Sequence, residues 1–455
     1  MKNHFPVKIF PSDDLLVFYP AVLNPPEKVC KVTFGTMTIE AECRAHPKQQ
    51  NILAISSKAA EKLMLTGTPP VSLHLFFHDD TLYIGPLLGI FTAGFTDSPV
   101  RPIGARTVFF SRLLSVKKTV GIHAFVFGEK HINWEKGTIA GLFCFDDYWK
   151  VMEVPFPNVI YDRLPNRHYE KKDTYIDVKN RLQKEYLIPW YNPGFFNKLD
   201  VFERLAKHPE AKEFLPDTRP ADSVHLIDRM LSEYGHVYLK PVNGSGGEGI
   251  HQFIYDRSEN MYYCRYQDRG ENRLIRSASL EGLYSHIFER RRPGKMLVQQ
   301  GINLLRIGQR PVDFRIHTNK DHTGKWQVSA MAAKIARRGS ATTHIRHGGS
   351  IKTIKEIFQS NQEQEKIAAK LAEACLTLSK ALEEVMDGII AEIGFDIGMD
   401  RDGNVWLFEA NSKPGRAIFK HPGLRKFDIL TRKLSLAYSI YLTEQSIARP
   451  EEIYS

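Results

Sequence analysis

The segment FDIGMDRDGNVWLFEANSKPG, residues 395–415, constrains the fold most because it has the pattern of a β-hairpin. The Asp-Gly dipeptide at 402–403 suits a two-residue type I′ turn. With that turn, Asp396 lies directly opposite Glu409, and Asn411 shares the face of Glu409 because side chains alternate along a strand. The other face is apolar. Its predicted core residues are Phe395, Ile397, Met399, Trp406, Phe408 and Ala410.

The polar face of this hairpin predicts a metal site. Carboxylates on opposed residues have Cβ atoms about 4.5–5.5 Å apart and repel each other, so a cation between them would stabilise the pair. Two carboxylates and an amide oxygen form a hard donor set that suits Mg²⁺ or Mn²⁺, as one ion or two. We therefore expect Asp396→Asn or Glu409→Gln to abolish Mg²⁺-dependent closure over a ligand and to leave the fold nearly intact.

The residues alone leave two other interpretations of the hairpin open. One is an EF-hand calcium loop, in which position 1 would be Gly398 instead of Asp and a helix would have to begin near ANSKPG. The residues that fit its pattern are Asp400, Asp402, Gly403 and Glu409. The other interpretation is a β-hairpin with solvated carboxylates and no ligand.

Composition limits the class of protein and its partners. The chain has 455 residues, enough for two or three domains, with 42% hydrophobic and 25% charged residues. Its 62 Lys and Arg against 52 Asp and Glu give a formal charge of +10, which favours anionic partners such as nucleotides or acidic peptides. The basic residues are dispersed, and the densest cluster, ERRRPGK at 289–295, predicts a solvated loop. We do not expect a nucleic-acid partner.

Cysteine usage and hydropathy predict an intracellular protein. The five cysteines are scattered and lack metal-site or CxxC spacing, which indicates a reducing environment. The N-terminal residues lack the apolar core of a signal peptide. The most apolar run, 82–95, is too short and too glycine-rich to span a bilayer. The expectation is a cytoplasmic protein without a membrane span.

The sequence pattern changes along the chain and predicts several domains. Residues 31–45 alternate apolar and polar side chains around a glycine turn, which is typical of a β-rich region. From Pro86 onward, buried-strand patterns alternate with a helical pattern at 110–120, which predicts a small αβ domain. Amphipathic helices are predicted at 198–208, 220–235 and 365–386. The predicted divisions are 1–84, 85–186, 187–445 and a C-terminal tail at 446–455.

A glycine-rich hairpin at 236–255 forms a second candidate site. A strand ends at Lys240, and the glycines that follow permit positive φ angles and a close approach of the backbone to a ligand. Consecutive N–H groups in such a loop can hold an anion, and Lys240 adds a point charge. The loop has neither the Walker A ending nor the strand–helix setting of a dinucleotide fold. Taken alone it is a weak indication of phosphate binding, and a flexible surface hairpin is the alternative.

The order of the motifs strengthens the phosphate interpretation. The glycine-rich hairpin is followed by a strand at 295–302, and then by the strand 311–318, which places Asp313 and Arg315 on one face. The carboxylate hairpin comes last. Together these motifs could supply phosphate contacts, an adenine slot, an arginine on the substrate side and a metal site.

In this order the motifs resemble those of the ATP-grasp superfamily. YLKPVNGSGGEGI resembles its glycine-rich lid, the segment 395–415 resembles its Asp…Glu-x-Asn metal hairpin, and NKLDVFERL resembles its first nucleotide-binding segment. The resemblance covers about 190–445. It implies a mixed α+β and α/β protein. Its ATP-grasp fold would consist of two αβ subdomains that clasp a nucleotide. A small αβ pre-grasp domain and a β-rich N-terminal domain would precede it.

More narrowly, the chain resembles the YheC/YheD family of endospore coat-associated proteins. The features are the β-rich N-terminus, FPNVIYDRLPNR and RRGSATTHIRHGGS. This resemblance implies a location in the mother cell, association with the spore coat, and coat proteins as partners.

The resemblance also implies roles for individual residues. The implied nucleotide contacts are Lys198, Lys240, Asn243, Gly244, Ser245, Gly246, Gly247, Gly249, Gln299, Gln300 and Ile302. The implied metal ligands are Asp396, Glu409 and Asn411. The implied catalytic arginines, which steady the transferred phosphate, are Arg315, Arg337 and Arg346. The chain departs from the usual pattern twice: a Gln-Gln pair stands where many relatives have an acidic ribose ligand, and His344 stands where related ligases often have Asn.

The resemblance leaves three functions open. The first is an ATP-dependent ligase that joins a carboxylate to an amine through an acyl-phosphate, with small-molecule or peptide substrates that are acidic. It needs no protein nucleophile, since positioning and charge neutralisation carry the reaction. The second is an ATP-binding coat-assembly protein without ligation. The third is an ATP-grasp kinase.

Overall fold

Four β-sheets, numbered here in chain order, organise the described part of the chain. The structure is a computed structural model. It describes residues 4–25, 27–65, 72–146, 148–242, 248–288, 295–337 and 348–454. Within these ranges, none of the helices combines the length and apolarity that a membrane span needs.

The first sheet is eight-stranded and confirms the β-rich character of the N-terminal region. Its strands are β1 (His4–Phe10), β2 (Leu16–Tyr19), β3 (Lys31–Phe34), β4 (Met37–Glu40), β5 (Glu42–Ala45), β6 (Leu53–Ser56), β7 (Ser72–His78) and β8 (Thr81–Ile84), with α1 (Ser57–Lys62) after β6. Their order across the sheet is β4-β3-β8-β7-β1-β6-β2-β5. The predicted turn between β3 and β4 contains Gly35, whose positive φ of 59° favours glycine.

The second sheet is seven-stranded and has a parallel centre. Its strands are β9 (Leu87–Phe91), β10 (His123–Phe127), β11 (Ile132–Asn133), β12 (Thr138–Cys144), β13 (Trp149–Pro155), β14 (Val159–Asp162) and β15 (Trp190–Tyr191). Its helices are α2 (Thr107–Leu114), α3 (Lys117–Val120), α4 (Arg167–Glu170) and α5 (Asp173–Lys184). The strands β10, β9, β14 and β15 run parallel, as an αβ unit requires. Because one hydrophobic core joins Phe34 of the first sheet to Phe125 of the second, the boundary at 84/85 stays a prediction.

The third sheet is six-stranded and follows α6 (Lys198–Leu205). Its strands are β16 (Thr218–Pro220), β17 (His236–Pro241), β18 (His251–Asp256), β19 (Met261–Asp268), β20 (Glu271–Ser277) and β21 (Met296–Gln300), with helices α7 (Val224–Tyr234) and α8 (Leu280–Phe288). Their order is β16-β21-β17-β18-β19-β20. The α7 helix begins and ends with capping residues: the Ser223 hydroxyl accepts from Leu226 N, and Gly235 follows with a φ of 76°.

The fourth sheet carries the carboxylate hairpin. Its strands are β22 (Arg306–Ile307), β23 (Arg310–Lys320), β24 (Trp326–Ile335), β25 (Ser350–Lys352), β26 (Glu392–Met399) and β27 (Val405–Asn411). The helices are α9 (Ile354–Ile357), α10 (Asn361–Val385), α11 (Arg425–Ala448) and α12 (Pro450–Tyr454). The order is β25-β24-β23-β26-β27, with β22 beside β23. The predicted helix at 365–386 is α10, and its Cys375 is buried in the core as expected.

The hairpin β26–β27 corrects the predicted turn but keeps the predicted pair. Met399 pairs with Val405, so residues 400–404 form the loop instead of a two-residue turn at 402–403. The register then shifts between Ile397, which pairs with Leu407, and Asp396, which pairs with Glu409. The extra residue on β27 forms a bulge. The longer loop and the bulge compensate each other.

The bulge also corrects the predicted core. Val405 and Leu407 are buried, whereas Trp406 and Phe408, which the sequence assigned to the core, are only half-buried. Between the loop and the bulge, the side chains of β27 that face the core are therefore shifted by one residue from the predicted ones. The EF-hand interpretation is wrong because strands, not helices, flank the loop.

Asp400 organises the loop of this hairpin. Its Oδ1 accepts from the backbone N–H groups of Asp402 (3.0 Å) and Asn404 (2.8 Å). Its Oδ2 accepts from Asn404 Nδ2 (3.0 Å) and Trp406 Nε1 (2.9 Å). Burial alone would raise the pKa of Asp400, but the hydrogen bonds from Trp406 and Asn404 outweigh it and lower the pKa below its usual value.

We expect Asp400→Ala to lower the free energy of unfolding by about 1–3 kcal/mol, because several donors lose one acceptor. The contribution of the carboxylate should be present above its unfolded pKa of about 3.9 and lost as the pH falls through the lower folded value. Urea denaturation at neutral pH measures the change. Asp402→Ala removes an exposed carboxylate of the same loop and is the control. Equal stability of the two variants would contradict this role of Asp400.

Candidate functional site

A cavity of about 860 Å³ is lined by residues of both the third and the fourth sheet. Its volume lies within the range of cofactor and substrate pockets. The lining includes eight residues that the sequence analysis selected. They are Lys198, Lys240, Gln299, Gln300, Ile302, Arg337, Asp396 and Glu409.

Two lysines occupy one side of this cavity. Lys198 begins α6 just after its N-cap Asn197, and its Nζ lies 3.5 Å from Glu409 Oε2. Lys240 lies near the end of β17 and lines the cavity, and its Nζ donates a hydrogen bond to Gln299 Oε1. Loss of hydration, and then the nearby charge of Lys198, lower the pKa of Lys240 to about 8. An anion placed between the lysines would relieve both effects.

Acidic and basic side chains alternate across three adjacent strands at the floor. Asp313 on β23 lies opposite Lys334 on β24, and their side chains form an ion pair at 3.2 Å. Lys334 Nζ also donates to Asp396 Oδ1 at 2.9 Å. Burial opposes the charged form of Lys334, but the carboxylates of Asp313 and Asp396 outweigh it and raise the pKa of Lys334. Lys334, Asp313 and Asp396 thus form a charge ladder, in which the positive charge of Lys334 compensates the two carboxylates.

Arg315 and Asn411 extend this ladder to β26 and β27. Arg315 lies opposite Asp396, with Nη1 at 3.2 Å from Oδ2. With its amide turned to satisfy both neighbours, Asn411 donates to Glu409 Oε1 (3.1 Å) and accepts from Arg315 Nη1 (3.3 Å). Arg315 and Asn411 thus contact residues of the cavity wall.

These contacts correct the expectation of unrelieved repulsion between Asp396 and Glu409. Lys334 and Arg315 neutralise Asp396, and Lys198 lies beside Glu409. Replacing Asp396 with Asn would leave two buried cations with less compensation, so these ion pairs predict a loss of stability in this variant instead of a nearly intact fold. Glu409 is the better position for a conservative variant, since its side chain is 23% exposed.

The glutamine pair holds the strands beside the cavity together. Gln299 accepts from Lys240 and donates through Nε2 to Thr218 Oγ1 at 2.9 Å. Gln300 Oε1 accepts from Asp217 N at 3.0 Å. The next residue, Gly301, contacts His236 so closely that a Cβ there would lie 2.5 Å from the His236 carbonyl oxygen. These contacts fix the backbone just before Ile302, which lines the cavity.

The structure describes only part of the predicted glycine loop. Gly249 has a φ of 71°, and a Cβ there would lie 2.9 Å from Pro241 Cγ, so this position requires glycine. Ile250, next along the chain, lines the cavity. The predicted site residues outside the described ranges are Asn243, Gly244, Ser245, Gly246, Gly247 and Arg346.

Lys334 is a site residue that no sequence motif predicted. It lies in the apolar run AMAAKI at the end of β24, and its side chain is 7% exposed. A lysine inside such a run is a signal, because buried lysines in proteins are almost always paired. The sequence could not identify its partners, Asp313 and Asp396, because they lie on other strands. Arg265, Arg306 and Arg310 also line the cavity, and no sequence motif predicted them.

Two antiparallel sheets with a lysine-rich cavity between them, and an Asp…Glu-x-Asn hairpin at its floor, define an ATP-grasp protein. Residues 187–442 match the family model described as YheC/D like ATP-grasp. The chain therefore belongs to the YheC/D-like ATP-grasp family, and the predicted fold class is confirmed.

Two curated relatives come from Bacillus subtilis (strain 168). The chain is 39% identical over 453 residues to endospore coat-associated protein YheD, with 99% of both chains covered. It is 22% identical over 274 residues to endospore coat-associated protein YheC, which covers 59% of this chain and 73% of that protein. Among solved structures, D-cycloserine synthetase DcsG superposes with a TM-score of 0.44 at 12% identity, covering 79% of this chain and 99% of that one. A similarity at that level carries no inference about activity.

We expect Lys334→Met to lower the free energy of unfolding by about 3–5 kcal/mol, because the buried carboxylates of Asp313 and Asp396 lose their shared cation. Chemical denaturation measures the loss. The control is Lys325→Met, which removes an exposed lysine just before β24. If the two variants denature at the same concentration, the ladder does not stabilise the fold.

Proposed function

We propose that this protein is a Mg²⁺- and ATP-dependent ligase that joins a carboxylate to an amine, in association with the spore coat. One observation carries the proposal: Lys198, Lys240 and the ladder centred on Lys334 converge with Asp396 and Glu409 at the wall of one cavity. Such a set can bind a polyphosphate on one side and a cation on the other. The resemblance to endospore coat-associated protein YheD supports the location.

Lys198 and Lys240 fit a role in holding nucleotide phosphates. Lys240 has lost much of its hydration, and the nearby charge of Lys198 further disfavours its charged form. Phosphate oxygens would replace the lost water with charge-assisted hydrogen bonds. Gln299 orients Lys240 from behind, so the lysine is positioned before a nucleotide binds. Ile302, which follows β21 and lines the same cavity, offers an apolar surface suited to a base.

The residues present fit a divalent cation. Asp396, Glu409 and Asn411 offer carboxylate and amide oxygens, the donors that Mg²⁺ and Mn²⁺ prefer. In the described residues no group of three His, Cys, Asp or Glu side chains is placed to hold an ion, so Asn411 would have to supply the third protein ligand. A bound ion would neutralise phosphate charge. The cations Lys198 and Arg315 hold the carboxylates in position and limit their mutual repulsion.

Arg315 and Arg337 fit the stabilisation of a phosphoryl group in transfer. Arg337 lines the cavity, and Arg315 is fixed by Asp396 and Asn411 at its edge. A guanidinium held by neighbouring groups can stabilise negative charge without reorganising during the reaction. The carboxylate substrate would attack the γ-phosphate of ATP and release ADP, and the amine would then displace phosphate to form an amide. Arg265, Arg306 and Arg310, which line the same cavity, would favour an acidic carboxylate.

A second candidate is an ATP-binding coat-assembly protein that does not ligate. The observation in its favour is that Lys198, Lys334 and Arg315 already neutralise the carboxylates, so the site is electrostatically stable without a metal. Release of ADP distinguishes the candidates. A ligase requires both a carboxylate and an amine for sustained release, whereas release with one acceptor alone indicates a kinase.

The first test is calorimetric titration of ATP with and without Mg²⁺. We expect Mg²⁺-dependent binding in the wild type and at least tenfold weaker binding in Glu409→Gln, because one metal ligand is weakened. Glu373→Gln changes an exposed glutamate of α10 in the same way and should bind like the wild type. An ATP affinity that is the same with and without Mg²⁺, and the same in Glu409→Gln as in the wild type, would refute the metal assignment.

ATP affinity should also fall as the pH rises through about 8. The folded pKa of Lys240 is lowered to about 8, so its charged form, which binds phosphate, is lost above that pH. Titration of ATP across this range in the wild type and in Lys240→Met separates this effect from others. The variant should bind weakly at every pH and show no transition near 8. An identical pH profile in the variant would exclude Lys240 as the titrating group.

A further inference from the structure

A second cavity, of about 280 Å³, lies beside the second sheet. It shares no lining residue with the cavity between the third and fourth sheets, which is called the cleft below. It is formed by α2, α3, the start of β10 and the end of β12. Three cations, Arg112, Lys117 and Lys118, line it together with one described carboxylate, Asp146. Its size suits a molecule smaller than a nucleotide.

Lys117 is the charged group at the base of this cavity. It is only 5% exposed, and its Nζ donates to the carbonyl oxygen of Cys144 at 2.6 Å and lies 5.3 Å from the ring centre of Phe145. Asp146 pairs with the exposed Lys118 at the rim, at 3.4 Å. Burial lowers the pKa of Lys117 to about 8. A buried ammonium that has a carbonyl and an aromatic ring as neighbours would gain from an anionic ligand.

His123 is the second, independent observation. It lines the same cavity, is 1% exposed, and neither of its ring nitrogens has a hydrogen-bond partner. Its ring stacks on Phe143 with the centroids 4.7 Å apart. Neutral imidazole carries one donor and one acceptor, and buried polar groups in proteins are normally satisfied. A histidine retained in the apolar strand HAFVF without a protein partner points to a partner from outside the chain.

We propose that this cavity binds a small molecule through an oxyanion group, a carboxylate or a phosphate. Lys117 supplies the charge, and His123 supplies an N–H donor from the inner wall. Arg112 and Lys118 at the rim attract the anion from solvent. This cavity is separate from the cleft, so the proposal does not depend on whether the chain is a ligase.

Cys144 provides the measurement, because its half-buried thiol lines the cavity. The rate of its alkylation by iodoacetamide is followed by peptide mass spectrometry with inorganic phosphate or with acetate, at ionic strength matched by chloride. An occupied cavity should slow the reaction by about tenfold at ten times the dissociation constant. Cys30, which is exposed just before β3, should react at an unchanged rate. Protection by phosphate assigns a phosphate ligand, and protection by acetate assigns a carboxylate.

Matched variants test the two anchors. Lys117→Met should abolish the protection of Cys144, whereas Lys184→Met, which removes an exposed lysine of α5, should keep it. His123→Met should raise the melting temperature, because an unsatisfied polar group leaves the core, and should weaken the protection. This second variant keeps the test valid if Lys117→Met does not fold. Absence of protection by both anions in the wild type would overturn the proposal, as would full protection in His123→Met and Lys117→Met.

Discussion

The ion pairs of Lys334 with Asp313 and Asp396 are the interactions on which the cleft depends. A buried charge is tolerated only when it is paired, and these three side chains lie on three adjacent strands. Slipping any of the strands by one residue would separate the charges and place them among Phe314 and Ile316, which fill the opposite face. The ladder therefore fixes the register of the fourth sheet as well as the polarity of the cavity. Arg315 is held by the same register, so stability and the arrangement of the site have one origin.

Sequence patterns predicted the parts of this arrangement that are local. The periodicity of α10 and the alternation in the β-rich region depend on neighbours in the chain, and both were confirmed. The hairpin shows the limit of such reasoning. The Asp-Gly pair at 402–403 indicated a two-residue turn, but the carboxylate of Asp400 collects four hydrogen bonds and stabilises a longer loop. A bulge then restores the pairing of Asp396 with Glu409, so a correct pair followed from an incorrect turn.

Features that depend on distant segments could not be predicted in the same way. Lys334 could be recognised as unusual in an apolar run, yet its partners are set by strand order. The position of His123 beside a cavity could not be predicted either. Its place in the apolar strand HAFVF indicates an ordinary core residue, and the cavity is formed by α2, α3 and β12, which are separate segments. The repulsion expected between Asp396 and Glu409 was wrong for a related reason. Two residues were considered in isolation, whereas the fold supplies cations from three other elements.

The buried polar contacts also indicate which part of the chain can move. Glu392, at the start of β26, accepts from Tyr161 and lies 3.3 Å from Arg163, and Lys413, just beyond β27, pairs with Asp162 at 2.6 Å. The strands of the carboxylate hairpin are thus tied at both ends to the second sheet, and separating them would expose buried charges. The third sheet differs, because its core consists of residues from 221 to 298 alone. Across the cavity, Lys240 Nζ lies 5.6 Å from the ring centre of Phe408 on β27. Displacing the third sheet would therefore break fewer buried charge pairs than separating β26 and β27 from the second sheet.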